Sequence, residues 1–406
     1  MNQDRHLSLD VIRGVAVMGI LVANLPGFAL PAAAYFSPLA WGGTSPADIA
    51  AWLVNFVFIE GRMRGLFSLL FGASMLLVIE RAEVAGENAA RVHFARMAVL
   101  FVIGLAHLYL VWRGDILAHY ALVGAIAYLF HRLTGAQLLA AGIAALLTTT
   151  LWNGLGLLGL MQSAARDTPQ AIAIWDSFAG VFGVPSHPVL TAEIAAMRGS
   201  WSDQITYRWH DSDGPLASLM AIGLETLSAM LFGMAAYRSG FLTATWAPLT
   251  YRRIAAGGLS IAWLAYLLLG LATLANGFDQ RWVFFGSIVG SAPFRIIGVF
   301  GYCALIILLL RPGGRLTGRI AAVGRTAFTN YLGTSVLVTA IFYGWGLGLF
   351  GALPRAQIYL VAPLVWLVML DWSKPWLERY RYGPLEWIWR SLARGRPQPM
   401  AISARH

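Results

Sequence analysis

The chain has 406 residues, of which 58% are hydrophobic and only 12% charged, with a formal net charge of +10. Soluble domains carry about 25% charged residues and cannot hide this much apolar surface in one core. A soluble enzyme, a secreted disulfide scaffold and a disordered chain are therefore excluded, and apolar runs of about twenty residues argue against an alternating outer-membrane barrel. The pattern is that of an all-α polytopic membrane helix bundle.

Ten apolar stretches are expected to span: 9–30, 47–80, 94–112, 115–132, 136–160, 216–237, 253–275, 293–310, 326–349 and 356–371. The second is too long for one crossing, and a break or a steep tilt is expected at Glu60-Gly61-Arg62-Met63-Arg64. Arg5 and His6 precede the first stretch and Ala32-Ala33-Ala34 follow it, as around a signal peptide. Asp10 and Arg13 inside its apolar region argue against cleavage.

With the N-terminus inside, alternate loops and the tail hold 19 basic residues, among them Arg5, Arg81, Arg91, Arg96, Arg238, Arg311, Arg325, Arg381, Arg390 and Arg405. The opposite loops hold six: Arg113, Arg166, Arg198, Arg208, Arg281 and Arg355. The positive-inside rule gives both termini in the cytoplasm of a bacterial inner membrane. The basic charge is thus a topology signal, and no nucleic-acid partner is expected. Residues 1–371 form the bundle. Within it, residues 161–215 form an acidic extracytoplasmic segment, including Asp213, that reads either as a cap or as a packed connector. Residues 372–406, with Trp372, Trp376, Trp387 and Trp389 among cations, read as an amphipathic tail on the cytoplasmic membrane surface.

Charges left in the bilayer are costly unless paired, so they carry the functional signal. Asp10 and Arg13 share a helix face, as do Glu60 and Arg64, so both pairs are expected as structural ion pairs. Arg62 then lacks a local partner and suits either an anionic ligand or an ion pair with Asp10 or Asp115. Towards the outer face, Asp115 precedes His119 by four residues, the spacing of an orienting carboxylate and a base. His107 ends the preceding helix nearby, and Asn24 reaches similar depth, where its amide suits a developing oxyanion. The chain contains no Walker loop, no His-Glu-x-x-His, no Cys-x-x-Cys and no Gly-x-Ser-x-Gly, and its single cysteine, Cys303, forms no internal disulfide. No metal is expected.

Leu9-Asp10-Val11-Ile12-Arg13-Gly14 resembles the Leu-Asp-x-x-Arg-Gly opening of the transmembrane acyltransferase superfamily, which includes the heparan-alpha-glucosaminide N-acetyltransferase type. The spacing of Asn24 from Asp10 is similar to that of an active-site Asn there, and Trp41 and Asp48 also fit. Arg64-Gly65-Leu66-Phe67-Ser68-Leu69-Leu70-Phe71-Gly72, Arg113-Gly114-Asp115-Ile116-Leu117, Asn330-Tyr331-Leu332-Gly333 and Gly383-Pro384-Leu385-Glu386-Trp387 resemble the YeiB-like family across nearly the whole chain. The resemblance implies acyl transfer from cytoplasmic acetyl-CoA, or another acyl-CoA, to an extracytoplasmic glycan or small-molecule acceptor. Arg13, Arg62 and Arg64 would hold the CoA phosphates, and His119 or His107, with Asp115 and Asn24, would activate the acceptor. One departure is that residues 31–48 contain no histidine, where the acetyltransferase type carries its catalytic one. A transporter or flippase of a small or lipid-linked substrate, and a non-catalytic assembly or sensor protein, stay open. A homodimer is compatible with the chain.

Overall fold

A computed structural model of the chain describes residues 7–212 and 214–402. Arg5, His6, Asp213 and Arg405 lie outside the described residues. The described residues are almost entirely helical, with one isolated bridge between Tyr380 and Ala401.

The helices are α1 (Leu7–Ala29), α2 (Pro46–Phe58), α3 (Arg62–Val84), α4 (Ala89–Leu110), α5 (Leu117–Ala127), α6 (Gly135–Ser163), α7 (Pro169–Phe182), α8 (His187–Arg198) and α9 (Trp201–Asp211). They continue with α10 (Pro215–Arg238), α11 (Pro248–Ala275), α12 (Gln280–Phe284), α13 (Ala292–Leu308), α14 (Arg315–Arg325), α15 (Ala327–Phe342), α16 (Arg355–Ile358), α17 (Val361–Arg379) and α18 (Pro384–Arg394). Starts follow local chemistry: Ser45 with Asp48, and Thr134 with Gln137, form capping boxes ahead of α2 and α6.

Each expected apolar stretch is helical, but the ten-span count is not reproduced. Among the described residues, seven helices are long and apolar enough to cross a membrane, or eight if the pair Gln280–Val289 and Ala292–Leu308, bent by 45°, makes one span. Leu117–Phe130 and Ala327–Phe342 are shorter. At 1.5 Å per residue the 16 residues of α15 reach about 24 Å, against a hydrocarbon core of about 30 Å. Both short helices bury polar side chains, His119 and Asn330 among them, against other helices rather than lipid.

The expected break between α2 and α3 falls at Gly61, whose φ of +70° is a conformation that disfavours any residue with a Cβ. Two close helix crossings frame the interior. A Cβ on Gly72 of α3 would strike the Met230 carbonyl of α10, and one on Gly233 of α10 would strike the Leu69 carbonyl of α3. Gly14 of α1 and Gly324 of α14 likewise face each other's backbones, at Ile320 and Asp10. Small residues let membrane helices approach this closely.

Within the expected extramembrane segment, α7, α8 and α9 lie at the end of the bundle where α4 finishes. Arg208 is 1% exposed and donates to the carbonyls of Tyr109 (2.8 Å) and Leu110 (3.2 Å), closing the C-terminus of α4. Arg198 donates to the Phe350 carbonyl at 2.7 Å. In the tail, α18 packs against α4 and α15, held by Glu386, which accepts from the Phe328 amide (2.7 Å), the Thr329 amide (3.1 Å) and the Thr329 hydroxyl (2.5 Å). A carboxylate on free amides at a helix start is the favoured arrangement. Trp389 adds a hydrogen bond to the Arg96 carbonyl at 2.9 Å.

Candidate functional site

The elements above leave two cavities at opposite ends of α1, α3 and α4. The first, about 230 Å³, lies where α1 and α4 begin and α18 folds back. Arg13, Arg96, Arg325, Arg381 and Arg390 line it, with Glu386 the only carboxylate among the lining residues. Glu386 is already engaged with the start of α15, and burial raises its pKa. The guanidiniums are held in place: Arg13 bonds Asp10 (3.3 Å) and the Ser74 hydroxyl (2.8 Å), and Arg96 stacks 4.2 Å from the Trp389 ring centre. Arg390 stacks over Tyr382 at 4.6 Å. Such a cluster selects phosphate or another multivalent anion.

The second cavity, about 360 Å³, lies where α1 and α4 end, under α7 and α8. Asn24, Tyr35, Arg64, Arg113 and Glu193 supply its polar wall. Glu193 of α8 accepts from Arg113 (2.7 Å) and from the Ala32 amide (3.1 Å), so it ties the α7–α9 segment to the bundle. Burial nevertheless raises the Glu193 pKa, with Arg113 and the Ala32 amide working against it.

Tyr120 of α5 lines both cavities. Its hydroxyl shares a 2.8 Å hydrogen bond with Ser68, and its ring stacks 5.6 Å from Phe67. One aromatic layer thus separates the two chambers. Arg13 and Asn24 mark their depths on α1, eleven residues or about 16 Å apart along the axis.

The residues singled out in the sequence are only partly brought together. Asn24 lines the second cavity and Arg13 the first. The Asp10–Arg13 pair forms as expected. The Glu60–Arg64 pair does not: the helix breaks between them, and Arg64 instead meets Glu225 of α10 at 2.9 Å. Glu60 is buried, with one carboxylate oxygen unpartnered. Arg64 lines the second cavity, so it and Arg13 do not share a chamber. Arg62 pairs with neither Asp10 nor Asp115. It lies fully buried, 3.7 Å over the Tyr266 ring, donates to the Phe56 carbonyl at 2.6 Å, and lines neither cavity.

The expected Asp115–His119 pair is also replaced. Asp115 precedes α5, and one of its oxygens accepts the Ala118 amide at 2.9 Å while the other contacts His107 Nδ1 at 2.8 Å. His107 Nε2 is buried without a partner. Trp112, whose ring lies 6.3 Å from that of His107, stands in the cavity wall beside this dyad. His119 points elsewhere, to Thr226 at 2.9 Å and Ser218 at 3.3 Å on α10. Arg96, Arg325, Arg381 and Arg390 were legible only as topology charges, and Glu225 and Tyr120 carried no signal at local spacing. Among the described residues no group of three His, Cys, Asp or Glu side chains forms a metal site.

Residues 236–396 match the family described as "Protein of unknown function (DUF418)", a stretch that includes Arg325, Arg381 and Arg390. The chain is 32% identical over 418 residues to the uncharacterized protein YeiB of Escherichia coli (strain K12), covering 96% of each. It is 33% identical over 428 residues to the uncharacterized protein YxaH of Bacillus subtilis (strain 168), covering 99% of this chain and 97% of that one. An uncharacterized 39.9 kDa protein from the amylase 3′ region of Bacillus acidopullulyticus is 24% identical over 408 residues, covering 98% and 96%.

Proposed function

The chain belongs to the family of YeiB and YxaH, and from that premise we propose that it is a membrane acyltransferase with its donor and acceptor in separate chambers. The observation that carries this reading is the pair of cavities sharing Tyr120, one walled by five arginines and the other by Asn24, Arg113 and Glu193. The arginine chamber lies on the side of the basic loops, which we take as cytoplasmic. Its charge suits the phosphates of an acyl-CoA, most simply acetyl-CoA. Its 230 Å³ is below the roughly 300–1,000 Å³ of a pocket that encloses a whole ligand, so the phosphates bind there and the pantetheine arm continues towards Tyr120.

Transfer then takes place at the Tyr120 layer. An acceptor hydroxyl or amine in the outer chamber attacks the thioester carbonyl, whose oxygen Asn24 polarises. The new C–O or C–N bond replaces the C–S bond, and the CoA sulfur leaves and is protonated as the free thiol. The acceptor's proton goes to His107 Nε2, because Asp115 holds the Nδ1 side of that ring. Trp112 must turn aside to admit the acceptor to this nitrogen.

Isothermal titration of acetyl-CoA into the purified chain in lipid nanodiscs tests the donor site. Wild type is expected to bind, and Arg96→Gln or Arg390→Gln to bind at least tenfold more weakly, since one charge-assisted hydrogen bond contributes about 1.5–3 kcal/mol. Absence of binding to wild type would remove the acyltransferase reading. A transporter would instead move an intact solute across sealed vesicles and release no free CoA.

A further inference from the structure

A third cavity, of about 400 Å³, is almost wholly apolar and opens on the outer flank of the bundle between α6, α7, α10 and α12. Trp152, Gly156, Phe178, Phe182, Ile222 and Phe284 line it. Trp152 is 57% exposed, as expected of a face turned to lipid. The groove sits at the same end of the bundle as the outer chamber, and only one aromatic layer divides them. Phe182 lines the groove, and its ring lies 5.0 Å from that of Phe36, which lines the chamber beside Val181.

Two further observations say what would bridge them. The dividing helix α7 is weakly anchored, with only Ala171 and Ala179 buried along its 14 residues. Among the charged residues that line the chamber, Arg64 and Arg113 outnumber Glu193, and Arg64 has to share its one carboxylate, Glu225, with Arg295 behind the wall. Arg113 on the opposite wall is matched by Glu193. An apolar flank one aromatic layer away from a chamber whose lining is net positive fits an anionic lipid.

Resting on the acyl-transfer reading, we propose that the acceptor is a lipid with a phosphate-bearing head, its hydrocarbon chain in the α6–α7–α12 groove and its head in the outer chamber. The phosphate binds beside Arg64, and the chain passes between Phe36 and Phe182. The lipid is drawn from the bilayer rather than from the aqueous phase.

The test uses the full chain in nanodiscs and two photoprobes, dodecyl phosphate and dodecanol, each with a terminal diazirine. Dodecyl phosphate is expected to label 152–156 or 284–288 at least fivefold more than dodecanol does. A Cβ at Gly156 would meet only Phe284, at 3.8 Å, so the groove has room for a blocking side chain there. Gly156→Trp is expected to abolish this labelling while leaving acetyl-CoA titration unchanged, with Ile222→Trp as a second block should the first variant not fold. Arg64→Gln is expected to reduce the advantage of the phosphate probe. Equal labelling by both probes would mean ordinary bilayer contact and would overturn the proposal, as would labelling that survives both blocks. Phosphate-dependent labelling by a wild type that does not bind acetyl-CoA would sink the donor assignment and leave the lipid site standing.

Discussion

Glu225 of α10 and Arg295 of α13 meet at 2.5 Å inside the bundle, and the same carboxylate oxygen accepts from Arg64 of α3 at 2.9 Å. Arg295 also donates to the Ser287 carbonyl at 2.6 Å, in a turn of π-helix at Phe285–Val289. Three helices are thus held by a single acid, in a setting where an unpaired guanidinium is costly.

Glu225→Gln should therefore be among the most damaging single substitutions in the chain. Removing one member of a buried ion pair costs about 3–5 kcal/mol, and here two arginines lose their partner at once. Thermal unfolding in detergent, read by size-exclusion, should show a large drop in midpoint. Arg64→Gln should cost less, since Arg295 keeps the carboxylate. Equal losses for the two would mean that the pair with Arg295 is not the stronger contact.

Much of the fold was legible because hydrophobic runs and caps act locally. All ten apolar stretches are helical, and the break near Glu60 was visible in its charges. The pairings were not legible, for a geometric reason. An i, i+4 rule holds only inside one continuous helix, and Gly61 interrupts it between Glu60 and Arg64. Likewise Asp115 stands before α5 and turns to cap it, so the spacing to His119 carries no contact. The arginine chamber was hidden differently. Arg96, Arg381 and Arg390 have the sequence appearance of topology charges, and only the return of α18 against α4, fixed by Glu386, brings them to one wall.

The orientation proposed here rests on 19 basic residues against six. Reporter fusions truncated after residue 190, in α8, and after residue 245, beyond α10, should report opposite sides of the membrane. The first belongs outside and the second in the cytoplasm. Matching signals would reverse the assignment of one chamber and end the donor–acceptor arrangement.

Glu193 offers a pH test of the α7–α9 docking. Burial raises its pKa above the ordinary carboxylate range, so the folded state holds this proton more tightly than the unfolded chain does. Its contribution to stability is accordingly greatest below the unfolded pKa of about 4.3 and is lost as pH rises through the folded value. Glu193→Gln, which can still accept from the Ala32 amide, should match or exceed wild type in thermal midpoint at pH 7. That advantage should shrink at pH 4.5. A Gln variant markedly less stable than wild type at pH 7 would show instead that the ion pair with Arg113 outweighs the cost of burying the charge.

The two histidines separate the proposed chemistry from packing. His107 has the features of a base: Asp115 fixes its Nδ1 side at 2.8 Å, its Nε2 has no protein partner, and Trp112 of the chamber wall stands beside it. His119, which like His107 lines neither chamber, has both ring nitrogens engaged, by Thr226 and Ser218 of α10. His107→Ala should then lower acyl transfer by about 10²–10⁴-fold, the range of a lost general base, with acetyl-CoA binding unchanged. Asp115→Asn should lower it too, by releasing the ring from its fixed orientation. His119→Ala should retain transfer and lose only stability, as a buried hydrogen-bonded side chain does. Rates measured with radiolabelled acetyl-CoA and a total membrane-lipid extract as acceptor give the comparison. Full activity in His107→Ala would remove the base assignment, and loss of activity in a well-folded His119→Ala would move it across α5 to the α10 side.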